Sequence, residues 1–193
     1  MTLRNLARYA SLIVISLSLA RAGNAQTVLM QHFAFGGGYS YTRTNLTRGC
    51  HCVSMNGGFA QVQFNLSPHW SLIGTGDVVH RGGITQDGYA LTQTSYTAGL
   101  RWFPSPNTAR LRPFAEVAGG GAHASGTLAP ANSGAGDSNN PYAFTAGGGL
   151  QVHLGRHVLF EPIEVQYLRT GFSNTQDDAQ NNLHINAGFL FSF

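Results

Sequence analysis

Residues 183–193 read LHINAGFLFSF, and this stretch decides the fold. Leu183, Ile185, Ala187, Phe189, Phe191 and Phe193 fall on one side of a period-two pattern. His184, Asn186, Gly188, Leu190 and Ser192 fall on the other, and only Leu190 interrupts the small and polar side. Successive side chains of an extended strand point to opposite faces, so strict alternation predicts a β-strand with one apolar and one polar face.

Working outward, the same design recurs along the chain. Ile163, Val165 and Tyr167 oppose Glu164 and Gln166, and Phe144, Ala146, Gly148, Leu150 and Val152 oppose Thr145, Gly147, Gly149, Gln151 and His153. Tyr96, Ala98, Leu100 and Trp102 oppose Ser95, Thr97, Gly99 and Arg101. Ala60, Val62, Phe64 and Leu66 oppose Gln61, Gln63 and Asn65, and Phe33, Phe35, Tyr39 and Tyr41 oppose Ala34, Gly36, Gly38 and Ser40. The pattern is weaker from Trp70 to Arg81 and from Leu111 to Ala124, where Ala115 and Val117 alternate with Glu116. Eight strands are therefore expected near 31–43, 55–66, 70–81, 92–103, 111–124, 142–154, 158–169 and 182–193. Each is long enough for a tilted strand to cross a bilayer, which takes roughly 9–11 residues.

The connections alternate as well. Residues 67–69, 104–110 and 155–157 are short or rich in Pro and Asn, whereas 44–54, 82–91, 125–141 and 170–181 are longer and rich in Gly, Asn, Ser, Thr and Asp. Short turns at one end and long loops at the other suit a membrane barrel. In lipid every strand must pair on both sides, so only closure permits an all-β span. A soluble lipocalin-like barrel or sandwich would show the same alternation turned outside-in. Aromatics near strand ends (Tyr39, Tyr41, Trp70, Trp102, Tyr167, Phe193) and a polar face without lysine favour the membrane form.

Composition narrows the classes. Of 193 residues, 42% are hydrophobic, 11% aromatic and only 10% charged, with 25 glycines, which excludes a charge-rich disordered chain. Residues 1–25 read as a signal peptide. Arg4 and Arg8 precede the apolar stretch Ala10–Ala20, and small residues lead to cleavage after Ala25, with Ala22 the alternative. Residues 26–193 then form the barrel domain. The formal charge of +3 belongs to the leader, because Arg4, Arg8 and Arg21 leave with it, and no basic surface for nucleic acid is expected.

The terminal strand, with aromatics at Phe189, Phe191 and Phe193, resembles the C-terminal signature of bacterial outer-membrane barrels, where it serves as an assembly signal for the barrel-assembly machinery. With the leader and eight strands, the chain resembles the OmpA/OmpX-like outer-membrane β-barrel family. The peptidoglycan-binding domain that follows the barrel in OmpA itself is not expected here, since the sequence as read stops at Phe193. The resemblance implies an all-β, eight-stranded antiparallel transmembrane β-barrel with short periplasmic turns and longer extracellular loops. It also implies the outer membrane of a Gram-negative bacterium, contact with outer-membrane lipid and lipopolysaccharide, and loops offered to an extracellular ligand that the sequence does not name.

The chemistry is sparse. Unpaired charge in a narrow lumen is costly, so Arg101, Glu116, Glu164 and Asp77 are expected to form an ion network inside the barrel, with His80 and His153 as further candidates. Interior ion pairs of this kind are structural in the family that the chain resembles. Cys50 and Cys52 flank His51; a small strained disulfide, free thiols and a weak metal signal all stay open, and the metal reading lacks a second ligand pair. The glycine runs 36–38, 119–121 and 147–149 lack a following Lys and Ser/Thr, so they are not phosphate loops but room inside a tight barrel. Some eight-stranded barrels modify lipid A, and the deacylase type places His before a Ser-Asn pair; here Phe172 precedes Ser173 and Asn174. His184 and Glu164 could in principle complete a Ser–His–acid set. The expectation is therefore no enzyme, no cofactor, a structural or interaction role with the lumen plugged, and a small porin-like channel as the alternative.

Overall fold

A computed structural model describes residues 32–45, 52–83, 90–106, 109–126, 141–172 and 179–193. The signal-peptide reading of 1–25, Cys50, and Ser173 with Asn174 lie outside the described residues. Eight strands run in order: β1 (Phe33–Asn45), β2 (Cys52–Asn65), β3 (Trp70–Arg81), β4 (Leu91–Trp102), β5 (Leu111–Ser125), β6 (Tyr142–His153), β7 (Val158–Thr170) and β8 (Gln180–Ser192). Each pairs antiparallel with its sequence neighbours, and β1 pairs with β8 to close the barrel. Phe193 N donates to Phe33 O at 2.8 Å, so the two ends of the barrel meet at the rim of the short turns.

Strand bounds fall within a few residues of those expected. The main difference is at the first connection: β1 continues to Asn45 and β2 begins at Cys52, so pairing extends into residues expected to loop.

The faces resolve the choice between membrane and soluble barrels. Phe35, Tyr39, Val62, Phe64, Leu72, Val78, Leu100, Val117, Phe144, Ile163, Val165 and Phe191 all point outward and are exposed. Ser40, Gln61, Gln63, Asn65, Ser71, Gln93, Gln151, Gln166, Asn182 and Asn186 are buried inside. A continuous apolar band of this extent cannot face water, whereas lipid accepts it. The barrel is therefore of the transmembrane kind. Among the outward aromatics, Trp70 pairs with Trp102 at the short-turn rim, where Phe35 also stacks on Phe193 with ring centroids 5.8 Å apart. Tyr41, Tyr142 and Tyr167 lie toward the loop ends, which gives the band an aromatic border on each side.

One irregularity matters for the interior. Glu161 and Glu164 both point inward, and the pairing of β7 with β8 skips between them. Pro162 supplies the cause, because proline cannot donate to a ladder and a closed barrel has no free edge to place it on, leaving a bulge as the solution. Upstream of the bulge odd-numbered residues face the lumen; downstream, even-numbered ones do.

Candidate functional site: the barrel lumen

The interior is layered along the barrel. At the short-turn end Ala34, Leu159 and Leu190 form a small apolar floor, which gives the interruption by Leu190 its place. Beside it Arg112 lies over the Phe103 ring, 3.6 Å from the centroid, and Arg101 lies over Phe114 at 3.8 Å. Inward glycines make the space for this stacking: a Cβ at Gly149 would come within 2.7 Å of the Phe114 ring.

Arg101, on β4, is the centre of the next layer and is wholly buried. Its Nε donates to Glu116 Oε2 of β5 at 2.7 Å, and its Nη1 to Glu161 Oε1 of β7 at 2.5 Å. Nη2 lies 3.6 Å from Glu164 Oε1. The guanidinium also reaches β2, donating to Gln61 Oε1 at 3.4 Å and Gln63 Oε1 at 3.5 Å. Gln151 of β6 donates to Gln63 Oε1 at 3.2 Å and Glu161 Oε1 at 3.0 Å, and accepts from Arg112 Nη1 at 3.1 Å. Gln166 donates to both Glu116 and Glu164. Side chains from five of the eight strands thus meet across the lumen, with two guanidiniums set against three carboxyls.

Asp77 is not part of this layer, contrary to expectation. It lies nearer the loops, where Asp77 Oδ1 is 3.1 Å from His184 Nε2. Thr42 Oγ1 is 2.7 Å from His184 Nδ1, and Ser40 and Ser95 hydroxyls donate to Asp77 at 3.4 Å. Above this second cluster the lumen closes with an apolar cap of Met55, Val79, Leu91, Ala122, Ala124, Ala143, Leu168 and Phe172.

The remaining candidates separate clearly. His80 is on the outward face and bonds Thr92 Oγ1 at 2.8 Å, which corrects its inward assignment: even-numbered residues of β3 point out. His153 faces inward at the short-turn end of β6. His184 has both ring nitrogens engaged and is 2% exposed, so it is not placed to serve as a base for a surface substrate. Glu164 belongs to the Arg101 layer, apart from His184. Among the described residues no group of three or more His, Cys, Asp or Glu is placed to hold a metal ion. Cys52 stands at the start of β2; its disulfide reading depends on Cys50, outside the described residues. Phe189, Phe191 and Phe193 all point outward, with Phe189 stacked on Phe160 at 4.7 Å.

Sequence reading missed Glu161, Arg112, Phe103 and Phe114. Pro162 was the available signal for Glu161. Arg112 and Phe114 share the parity of Glu116, which was enough to place them inside.

The comparisons with known proteins concern the fold. No family model matches the chain, and no curated protein matches it. Solved structures do. Neisserial surface protein A superposes with a TM-score of 0.62 at 10% identity, covering 83% of this chain and 97% of that one. The attachment invasion locus protein Ail of Yersinia pestis, in complex with the heparin analogue sucrose octasulfate, gives 0.58 at 16% identity, covering 85% and 100%. The outer membrane protein OprG of Pseudomonas aeruginosa gives 0.56 at 13%, covering 84% and 96%. The shared architecture is the eight-stranded outer-membrane barrel, in line with the OmpA/OmpX-like resemblance. At these identities the likeness concerns the fold.

Proposed function

We propose that this chain is a structural and interaction protein of the outer membrane, with the short turns in the periplasm, the long loops outside the cell and the lumen plugged by its own side chains. The location is supported by the apolar outward band and by the shared fold with outer-membrane proteins. The plug is carried by one observation: the fully buried Arg101 guanidinium, bonded across the lumen to side chains of β2, β5 and β7. An eight-stranded barrel is about wide enough for side chains to fill it. The apolar cap is a second barrier, because an apolar constriction lined by Met55, Leu91 and Phe172 opposes the passage of ions. With the interior occupied, partners meet the outside of the barrel, the loops foremost, and we read the protein as non-enzymatic.

Conductance separates this reading from the porin alternative. The purified protein in a planar bilayer is expected to give at most small, rare openings. A stable, high single-channel conductance from the monomer would make it a channel. Acyl chains released from lipopolysaccharide, seen by mass profiling of lipid A, would instead make it an enzyme.

A further inference from the structure

Two strands carry the same outward spacing near the loops: Tyr41-Thr42-Arg43 on β1 and Tyr167-Leu168-Arg169 on β7. Thr42 and Leu168 are buried in the lumen, so each tyrosine and its arginine share the outer face, with the arginine one repeat closer to the loops. Strand β8 lies between them. Its Leu183 is opposite Arg43 on one side and Tyr167 on the other, and its Asn181 is opposite Arg169. From strand spacing and rise, the two arginine Cα atoms lie about 12 Å apart.

These arginines are unlike the interior ones. Both are exposed, and neither has an ion pair among the described residues. Every acidic residue that the structure describes (Asp77, Glu116, Glu161, Glu164) points into the lumen. The neighbouring polar groups satisfy one another instead: Tyr167 Oη donates to Asn181 Oδ1 at 2.5 Å, and Tyr41 Oη is 2.8 Å from Ser54 Oγ. Among the described residues, the outer rim over β7, β8 and β1 therefore holds two cations without an ion pair, Arg43 level with Leu183 and Arg169 one repeat beyond it, bordering a lipid-facing surface of Val165, Leu183 and Ile185.

Depth and chemistry select the partner. Tyrosines settle at the membrane–water interface, so residues one repeat further out, about 7 Å, stand at headgroup level. The chain contains no lysine, and the planar fork of arginine matches phosphate oxygens in pairs. We propose that Arg43 and Arg169 grip the phosphates of one phosphorylated glycolipid headgroup, of the lipid A kind, whose acyl chains lie along β8. The transmembrane fold suffices for the site; that this leaflet holds lipid A rests on the outer-membrane reading above.

The test reconstitutes the protein in phosphatidylcholine nanodiscs containing a small fraction of diphosphoryl lipid A and measures retained lipid by native mass spectrometry. Wild type is expected to retain lipid A in preference to phosphatidylcholine. Arg43→Gln and Arg169→Gln should each weaken retention about fivefold, and Arg110→Gln, at the opposite rim, should leave it unchanged. Both substitutions are at exposed positions, and a gel shift between boiled and unboiled samples verifies that each variant folds. Equal retention by the double variant and wild type would overturn the proposal. So would equal loss in Arg110→Gln, or displacement by millimolar inorganic phosphate, which would indicate a free-anion site. Failure to enter bilayers of any composition would overturn the transmembrane reading along with it.

Discussion

Arg101→Ala lowers the stability of the folded barrel by about 3–5 kcal/mol, the expected penalty for removing one partner from a buried ion network. Glu116, Glu161 and Glu164 would face one another without the guanidinium that now contacts all three. Phe114 would also lose the cation stacked on it at 3.8 Å. Glu164→Gln should cost less than about 1 kcal/mol. Glu164 makes the longest of the three contacts, 3.6 Å, the layer already holds more carboxyls than guanidiniums, and a Gln oxygen still accepts from Gln166. Equilibrium urea unfolding of the two variants in vesicles checks the ordering. Similar losses would mean that the carboxyls, and not the arginine, hold the layer together.

The second large effect concerns the outer face. Arg in place of Val62, Leu100 or Val165 should cost up to about 2–4 kcal/mol, depending on depth in the bilayer. Arg in place of inward Gln63 should cost less, despite its greater length. Gln63 shares the Arg101 and Gln151 donors with Glu161, so a third guanidinium there meets the surplus carboxyl. Unfolding free energies in the same vesicles give the comparison; a costlier Gln63→Arg would place the apolar face inside.

The residues that were legible and those that were not differ for a physical reason. Alternation states which face a side chain occupies, and it placed Arg101, Glu116 and Glu164 inside without error. It does not state height, because that depends on the stagger between neighbouring strands. Asp77 shares a face with the Arg101 layer but pairs with His184 nearer the loops, which no single-strand pattern reveals. Alternation also fails wherever a strand gains a residue. Counting back from Ile163 puts Glu161 outside, and only the ladder-breaking Pro162 warns that the count slips. His80 was misplaced because the polar and small residues of β3 blur its period. The strand ends shifted where pairing with a neighbour rewarded a few more residues, as at Asn45 and Cys52.

The protein has two tryptophans, and their position gives the most direct test of the inside-out arrangement. Trp70 and Trp102 are cross-strand partners on the outer face at the short-turn rim, 46% and 43% exposed. In vesicles of brominated phosphatidylcholine their fluorescence should be strongly quenched, most by bromines placed close to the headgroup, and acrylamide in the water should quench little. Emission untouched by brominated lipid but quenched by acrylamide would show these rings in water, and the transmembrane barrel would be wrong.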